Sequence, residues 1–239
     1  MVKWHTERDK CMARREREKG RSVMVQKDMQ GIRHFIWDMD GTLFDTYPAI
    51  IADLRSALAE YGQDCDPVEA MGLMLVNVSN ATRFYGKKFG IDAEKLLGTY
   101  HKHHDRTISG FTAKPMADAE EVLKQIQQSG RFNYIFTHRK DWEAVEYLKK
   151  YGLEGYFRDI VGQDSPYFAW KPAPDAVLYL MEKYAMAPEE TVMVGDRDCD
   201  LASGRNAGIG AVHYVCKAVP EELVCDWRIE SFRQMQEML

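Results

Sequence analysis

Between Met116 and His213 short apolar runs alternate with segments of helical period, and this alternation limits the fold more tightly than any other feature of the chain. Met116–Gln128 reads as a helix ending near Gly130, Asn133–Phe136 as a strand and Trp142–Tyr151 as a helix. Ile160–Val161 reads as a short strand and Ala173–Tyr184 as a helix. Thr191–Val194, Asp198–Ala207 and Ile209–His213 repeat the order strand, helix, strand, and Trp227–Ile229 adds a last short strand. Strands joined through helices lie parallel, and the helices cover both faces of the sheet. The pattern predicts an α/β fold built on a doubly wound parallel sheet.

One more strand belongs to that sheet but stands apart in sequence. The apolar run Ile32–Trp37 reads as a strand buried on both faces, and it stops abruptly at Asp38. Helical spacing follows in Ala49, Ile50, Leu54, Leu58 and Tyr61, with Gly62 placed to end that helix. Further helical pattern covers Val68–Leu75, Ala81–Phe89 and Ala93–His104, broken near Asn77–Asn80 and Gly90. The expected organisation is a charged N-terminal extension at residues 1–30, a core domain of 31–45 and 113–239, and a small all-helical cap at 46–112. The two crossings, Asp45–Tyr47 and Gly110–Lys114, are the expected hinges, with Gly110 as a flexible point.

Composition narrows the function. The chain has 239 residues, 45% of them hydrophobic, and a formal net charge of -5. That balance gives no support for a nucleic-acid partner, because an acidic protein repels a phosphate backbone. No stretch approaches the roughly 20 apolar residues that cross a bilayer, and the N-terminus lacks a secretory apolar run. Cys11, Cys65, Cys199, Cys216 and Cys225 form no C-x-x-C pair, which points to a reducing cytoplasmic setting and away from zinc.

Four polar clusters fall at strand ends or in loops that reach them: Asp38 to Thr42, Thr137-His138-Arg139, Lys171-Pro172 and Gly195 to Asp200. Ligands of doubly wound sheets bind outside the carboxyl ends of the strands. A carboxylate at Asp38 is a competent nucleophile toward phosphorus. A second carboxyl two residues on, Asp40, is placed to protonate a leaving oxygen and then to take a proton from water. Asp38, Asp196 and Asp200 would repel one another unless a hard cation joined them, which suggests Mg²⁺. Thr137 can donate to a phosphoryl oxygen, and Lys171 supplies balancing positive charge. Asp198 reads better as a helix-start residue.

These clusters resemble the motifs of the haloacid dehalogenase-like hydrolase superfamily from Ile32 onward. The first motif, D-x-D-G-T-x-x-D, is matched by Asp38-Met39-Asp40-Gly41-Thr42-Leu43-Phe44-Asp45. A strand-end Thr follows at Thr137, a Lys at Lys171, and the acidic G-D-x-x-x-D from Gly195 through Asp196 to Asp200. The likeness is strongest to the phosphoglycolate phosphatase-like branch with a helical cap, although Arg197 stands where that branch often has Ser or Thr. The resemblance implies Asp38 as nucleophile and metal ligand, and Asp40 as general acid/base touching the metal through its backbone carbonyl. It implies Asp196 as a direct ligand and Asp200 as its support. An acid at position 40 favours phosphatases and phosphomutases over dehalogenases and ion pumps.

The expected activity is Mg²⁺-dependent hydrolysis of a small phosphorylated metabolite through an aspartyl-phosphate, by a monomer or homodimer. The alternatives are a sugar phosphomutase of the β-phosphoglucomutase type and a non-catalytic regulatory binding module. Arg83, Lys87 and Lys88 give the cap a basic group, of which Arg83 is the substrate-binding candidate. His138, beside Thr137, is a second candidate, its backbone N–H facing the phosphate. His101 and His104 share a helix face with Asp105 nearby, but no further ligand suggests a metal there.

Overall fold

The computed structural model describes residues 28–110, 112–215 and 223–239, with side chains of 106–110 left aside. The charged extension expected at 1–30 lies outside these residues as far as 27, as do Phe111 of the second crossing, Cys11 and Cys216.

Strand β1 (His34–Trp37) is followed by four helices, α1 (Tyr47–Ala59), α2 (Pro67–Val76), α3 (Val78–Phe89) and α4 (Ala93–Gly110). They bury an apolar cluster of their own, in which Leu54, Leu58, Ala81, Tyr85 and Leu96 are fully enclosed. Asn77 alone separates α2 from α3. It is extended, and its side chain accepts from the Asn80 N–H at 2.8 Å, which starts the next helix at once. The break expected at Asn77–Asn80 is therefore one capping residue wide.

Next come α5 (Ala119–Gln128), β2 (Phe132–Phe136), α6 (Asp141–Lys150), β3 (Phe157–Val161) and α7 (Asp175–Tyr184). The remaining elements are β4 (Thr191–Gly195), α8 (Asp198–Asn206), β5 (Gly210–Tyr214), β6 (Trp227–Ile229) and α9 (Phe232–Gln236). The six strands form one sheet in the order β3-β2-β1-β4-β5-β6, and every pairing is parallel. Side-chain alternation splits the core. Phe35, Trp37, Ile135, Val192, Val194 and Val212 face one layer with Val122, Leu123, Ala144 and Leu148 of α5 and α6. Ile36, Tyr134, Phe136 and Met193 face the other, with Ala176, Val177 and Leu180 of α7. Each Val, Leu, Ile, Phe or Met among them contributes about 1.5–3 kcal/mol by leaving water.

Element ends differ from the sequence reading for local reasons. Ile32 is held in a turn, its N–H bonded to the Met29 carbonyl at 2.9 Å, so β1 begins at His34. Pro172 and Pro174 cannot donate to a helical ladder, and α7 begins at Asp175 rather than Ala173. Asp118 takes a left-handed conformation, φ 60°, which delays α5 to Ala119. β3 starts three residues earlier than expected, because its exposed Arg158 hides the strand in the sequence. The crossings lie side by side: Asp45 N–H donates to the Lys114 carbonyl at 2.9 Å, and Met116 N–H to the Leu43 carbonyl at 2.8 Å.

Candidate active site

The strands β1, β2 and β4 lie at the centre of the sheet, and their carboxyl ends deliver three of the four polar clusters side by side. Asp38 continues the β1 ladder, its N–H bonded to the Val194 carbonyl at 2.9 Å. Thr137 does the same for β2, bonded to the Val161 carbonyl at 3.0 Å. Asp196 follows Gly195 at the end of β4. Past Asp38 the chain folds back sharply, with the N–H groups of Thr42, Leu43 and Phe44 all aimed at the Met39 carbonyl. That turn requires φ +79° at Gly41, where a side chain would run into the Tyr47 ring and the Asp196 carboxylate.

Charge collects behind this edge. Lys171 Nζ reaches Asp38 Oδ1 at 2.5 Å and Asp200 Oδ1 at 2.9 Å, and all three groups are fully buried. Asp200 also accepts from the Arg197 N–H at 3.0 Å. Asp196 accepts from Thr42 Oγ1 at 3.2 Å and from the Tyr47 hydroxyl at 2.6 Å. Carboxylate oxygens of Asp38, Asp196 and Asp200 come within 4.8 Å of one another. Burial, then the neighbouring Asp200, raises Asp38 to about 6 and Asp196 to about 8. Burial also opposes ionisation of Asp200, but the charges of Lys171 and Arg197 outweigh it and hold that group at about 2.

This trio fits a hard divalent cation. The donors are all carboxylate oxygens, the ligand type that a hard cation takes. Burial and mutual repulsion oppose ionisation of Asp38 and Asp196, and a cation beside them would offset both.

The remaining candidates divide between this centre and an adjoining cavity. Thr137 is fully buried, and its Oγ1 accepts from the Arg139 N–H at 3.1 Å. Asp40 is gripped by Arg139, whose Nε and Nη2 donate to Oδ1 at 3.0 and 2.6 Å. Burial raises an acid, but here the Arg139 charge prevails and lowers Asp40 below the usual carboxylate range. The His138 ring does not turn toward the acids. Its Nε2 accepts from the Lys171 N–H at 3.0 Å, and its ring meets Trp170 edge-on with centroids 4.7 Å apart. Burial, with Lys171 nearby, drives the His138 imidazole down to about 3 and keeps it neutral.

The cavity, about 370 Å³, runs from Asp40, His138 and Arg139 to Tyr100, His101 and His104 of α4. Arg83 does not line it. That side chain is on the exposed face of α3, its Nε donating to the Ser79 carbonyl at 3.1 Å. Lys88 pairs with Glu69 at 2.8 Å on the same surface. Asp198 begins α8 and pairs with Arg205 at 3.1 Å. The sequence reading gave no role to Tyr47, Thr42 or the Arg139 side chain. Thr42 and Arg139 lay inside quoted clusters, whereas Tyr47 carries no local signal, since only the returning chain places Asp196 against it.

The family profile described as haloacid dehalogenase-like hydrolase matches residues 35–214. A relative named Pyrophosphatase PpaX, from Halalkalibacterium halodurans, is 29% identical over 74% of this chain and 81% of its own length. A Phosphoglycolate phosphatase from Vibrio vulnificus is 26% identical over 75% of this chain and 82% of its own. Among solved structures, a hydrolase from Streptococcus pneumoniae is 27% identical, with TM-score 0.60, covering 76% of this chain and 92% of that one. A structure from Haemophilus somnus, titled a predicted phosphoglycolate phosphatase, has TM-score 0.76 at 18% identity, covering 88% and 99%.

Proposed function

Because the chain belongs to the haloacid dehalogenase-like hydrolase family and is a phosphatase by its relatives, we propose that it hydrolyses a small phosphate monoester through an aspartyl-phosphate on Asp38, with Mg²⁺. The observation that carries this reading is Asp38 itself: buried, ion-paired through Oδ1 to Lys171, and with Oδ2 unpartnered. An oxygen so placed is free to bond phosphorus while its twin stays neutralised.

Asp38, Asp196 and the Asp40 carbonyl would hold the cation, with Asp200 orienting the set through Lys171 and the Arg197 N–H. Bound there, it supplies positive charge against the phosphoryl oxygens. Asp38 attacks phosphorus as the bond to the leaving oxygen breaks, and Asp40 gives that oxygen its proton. Thr137 and Lys171 steady the phosphoryl group. In the second half Asp40 takes a proton from water, whose oxygen displaces Asp38 and releases phosphate. The Arg139 grip keeps Asp40 ionised, the form that this second step needs. Donation in the first step requires that grip to loosen as substrate enters.

Helices α1–α4, within residues 46–112, act as a cap over a core of 31–45 and 113–239, closing on the substrate to exclude water. Their separate apolar cluster and the paired crossings support that division. Among the described residues no helix is long and apolar enough to cross a membrane. Cys65, Cys199 and Cys225 are free thiols, which supports a cytoplasmic setting.

Phosphate release from a panel of phosphorylated metabolites with Mg²⁺ tests the proposal. Asp38→Asn is expected to lose at least about a hundredfold in kcat. An unchanged rate sinks the covalent route, and interconversion of hexose phosphates without free phosphate would assign a mutase instead.

A further inference from the structure

Resting on the phosphatase reading, we infer that Arg197 is a further catalytic residue of the strand-end site: its guanidinium turns from Asp200 to donate to the phosphoryl oxygens on Asp38. Four carboxylates meet at this edge, Asp38, Asp40, Asp196 and Asp200, and three side-chain cations answer them. Two of the cations are committed. Lys171 holds Asp38 and Asp200 at 2.5 and 2.9 Å, and Arg139 holds Asp40 at 2.6 Å. The third, Arg197, has its Nη2 3.5 Å from Asp200 Oδ1, beyond the roughly 2.7–3.2 Å of a formed N–H···O bond. Its Nε is buried, with no hydrogen-bond partner among the described residues. A guanidinium only donates, and a buried charged donor left unmatched costs stability, so this group is set for an acceptor that arrives with the ligand.

Position identifies that acceptor. Arg197 directly follows Asp196, and its own N–H is pinned to Asp200 Oδ2 at 3.0 Å, so the side chain leaves the backbone beside the acid trio. Burial is the main influence on Asp38, Asp40, Asp196 and Asp200, yet the charge of Arg197 is felt at all four. The Lys171 side chain is wholly enclosed, whereas Arg197 keeps 19% of its own exposed, so it approaches from the open side, where a substrate enters. A planar guanidinium matches two oxygens of a phosphoryl group at once, which the point charge of a lysine does not. With all four carboxylates ionised, the three cations leave one negative charge, and a divalent cation turns it to one positive charge. Without Arg197 the loaded site would be neutral toward an arriving phosphoryl dianion.

Calorimetry on the full chain, titrating inorganic phosphate with Mg²⁺ present and, separately, Mg²⁺ alone, tests the assignment. Arg197→Gln should weaken phosphate binding roughly tenfold or more, as loss of a charge-assisted bond implies. It should leave Mg²⁺ binding unchanged or tighter, because one positive charge is gone from beside the ligands. The kcat/KM for p-nitrophenyl phosphate should fall by at least the factor seen for phosphate. Arg197→Lys, which keeps the charge without the planar fork, should fall between Arg197→Gln and wild type. Unaltered phosphate affinity in Arg197→Gln, or a wild type that binds no phosphate, overturns the inference. So does loss of phosphate and Mg²⁺ affinity by one common factor, the mark of a residue that only supports Asp200. If Arg197→Gln does not fold, Arg197→Lys decides, and wild-type phosphate affinity in that variant overturns the inference. Release from p-nitrophenyl phosphate that Asp38→Asn leaves unchanged sinks instead the phosphatase reading on which it rests.

Discussion

At the scale of single residues, neighbours decide what each acid or base can do. Four aspartates share one strand-end region, and their environments push them apart: Asp38 to about 6, Asp196 to about 8, Asp200 to about 2 and Asp40 below its ordinary range. The ring of His138 acts as a support. Its ring nitrogen takes the Lys171 N–H, so it holds the loop that carries the balancing charge. Its folded value of about 3 lies below the ordinary imidazole value, so the unfolded chain binds the extra proton first as pH falls. The stability that neutral His138 contributes is thus complete above about pH 6.5 and drains away toward pH 3. His138→Gln, followed by urea unfolding across that range, should show a shallower acid decline than wild type. An identical slope would mean that His138 titrates freely in the folded protein.

At the scale of elements, the turn after β1 is the joint on which the site depends. Gly41 there combines a left-handed backbone with close approach of the Tyr47 ring and the Asp196 carboxylate. Gly41→Ala should cost about 1–3 kcal/mol of stability, since it both strains φ and forces Tyr47 away. Because Tyr47 donates to Asp196 at 2.6 Å, the same change should weaken Mg²⁺ affinity by roughly tenfold or more. Denaturant midpoints and calorimetric Mg²⁺ titration read the two effects separately. Gly62→Ala is the comparison: φ is +70°, but nothing lies within 4 Å, so it should lose stability without touching metal affinity.

At the scale of the molecule, the acid trio stores a repulsion that one bound cation would relieve. Folded chain alone brings Asp38, Asp196 and Asp200 within 4.8 Å, so Mg²⁺ should bind the native state in preference to the unfolded one. Thermal melting is expected to rise with Mg²⁺, corresponding to about 2.7 kcal/mol at a hundred times the dissociation constant. Chelator should reverse the rise, and Asp196→Asn should abolish most of it. A melting curve indifferent to Mg²⁺ would remove the cation from the proposal.

Much of this was legible in the sequence because it is written locally. Apolar runs of strand length ending in Asp38, Thr137 and Gly195-Asp196 reveal a parallel sheet and the edge where its chemistry gathers. Hydrophobic burial depends on a repeat that any window of the chain displays, and so the α/β architecture could be read before it was seen. Contacts between segments far apart in sequence obey no such repeat. Tyr47 meets Asp196 across 149 positions and Arg139 grips Asp40 across 99, while the Asp53–His104 pair closes only when α1 packs on α4. Those partnerships set charge, orientation and the shape of the cavity, and they exist only once the sheet and the helices above it have brought the segments together.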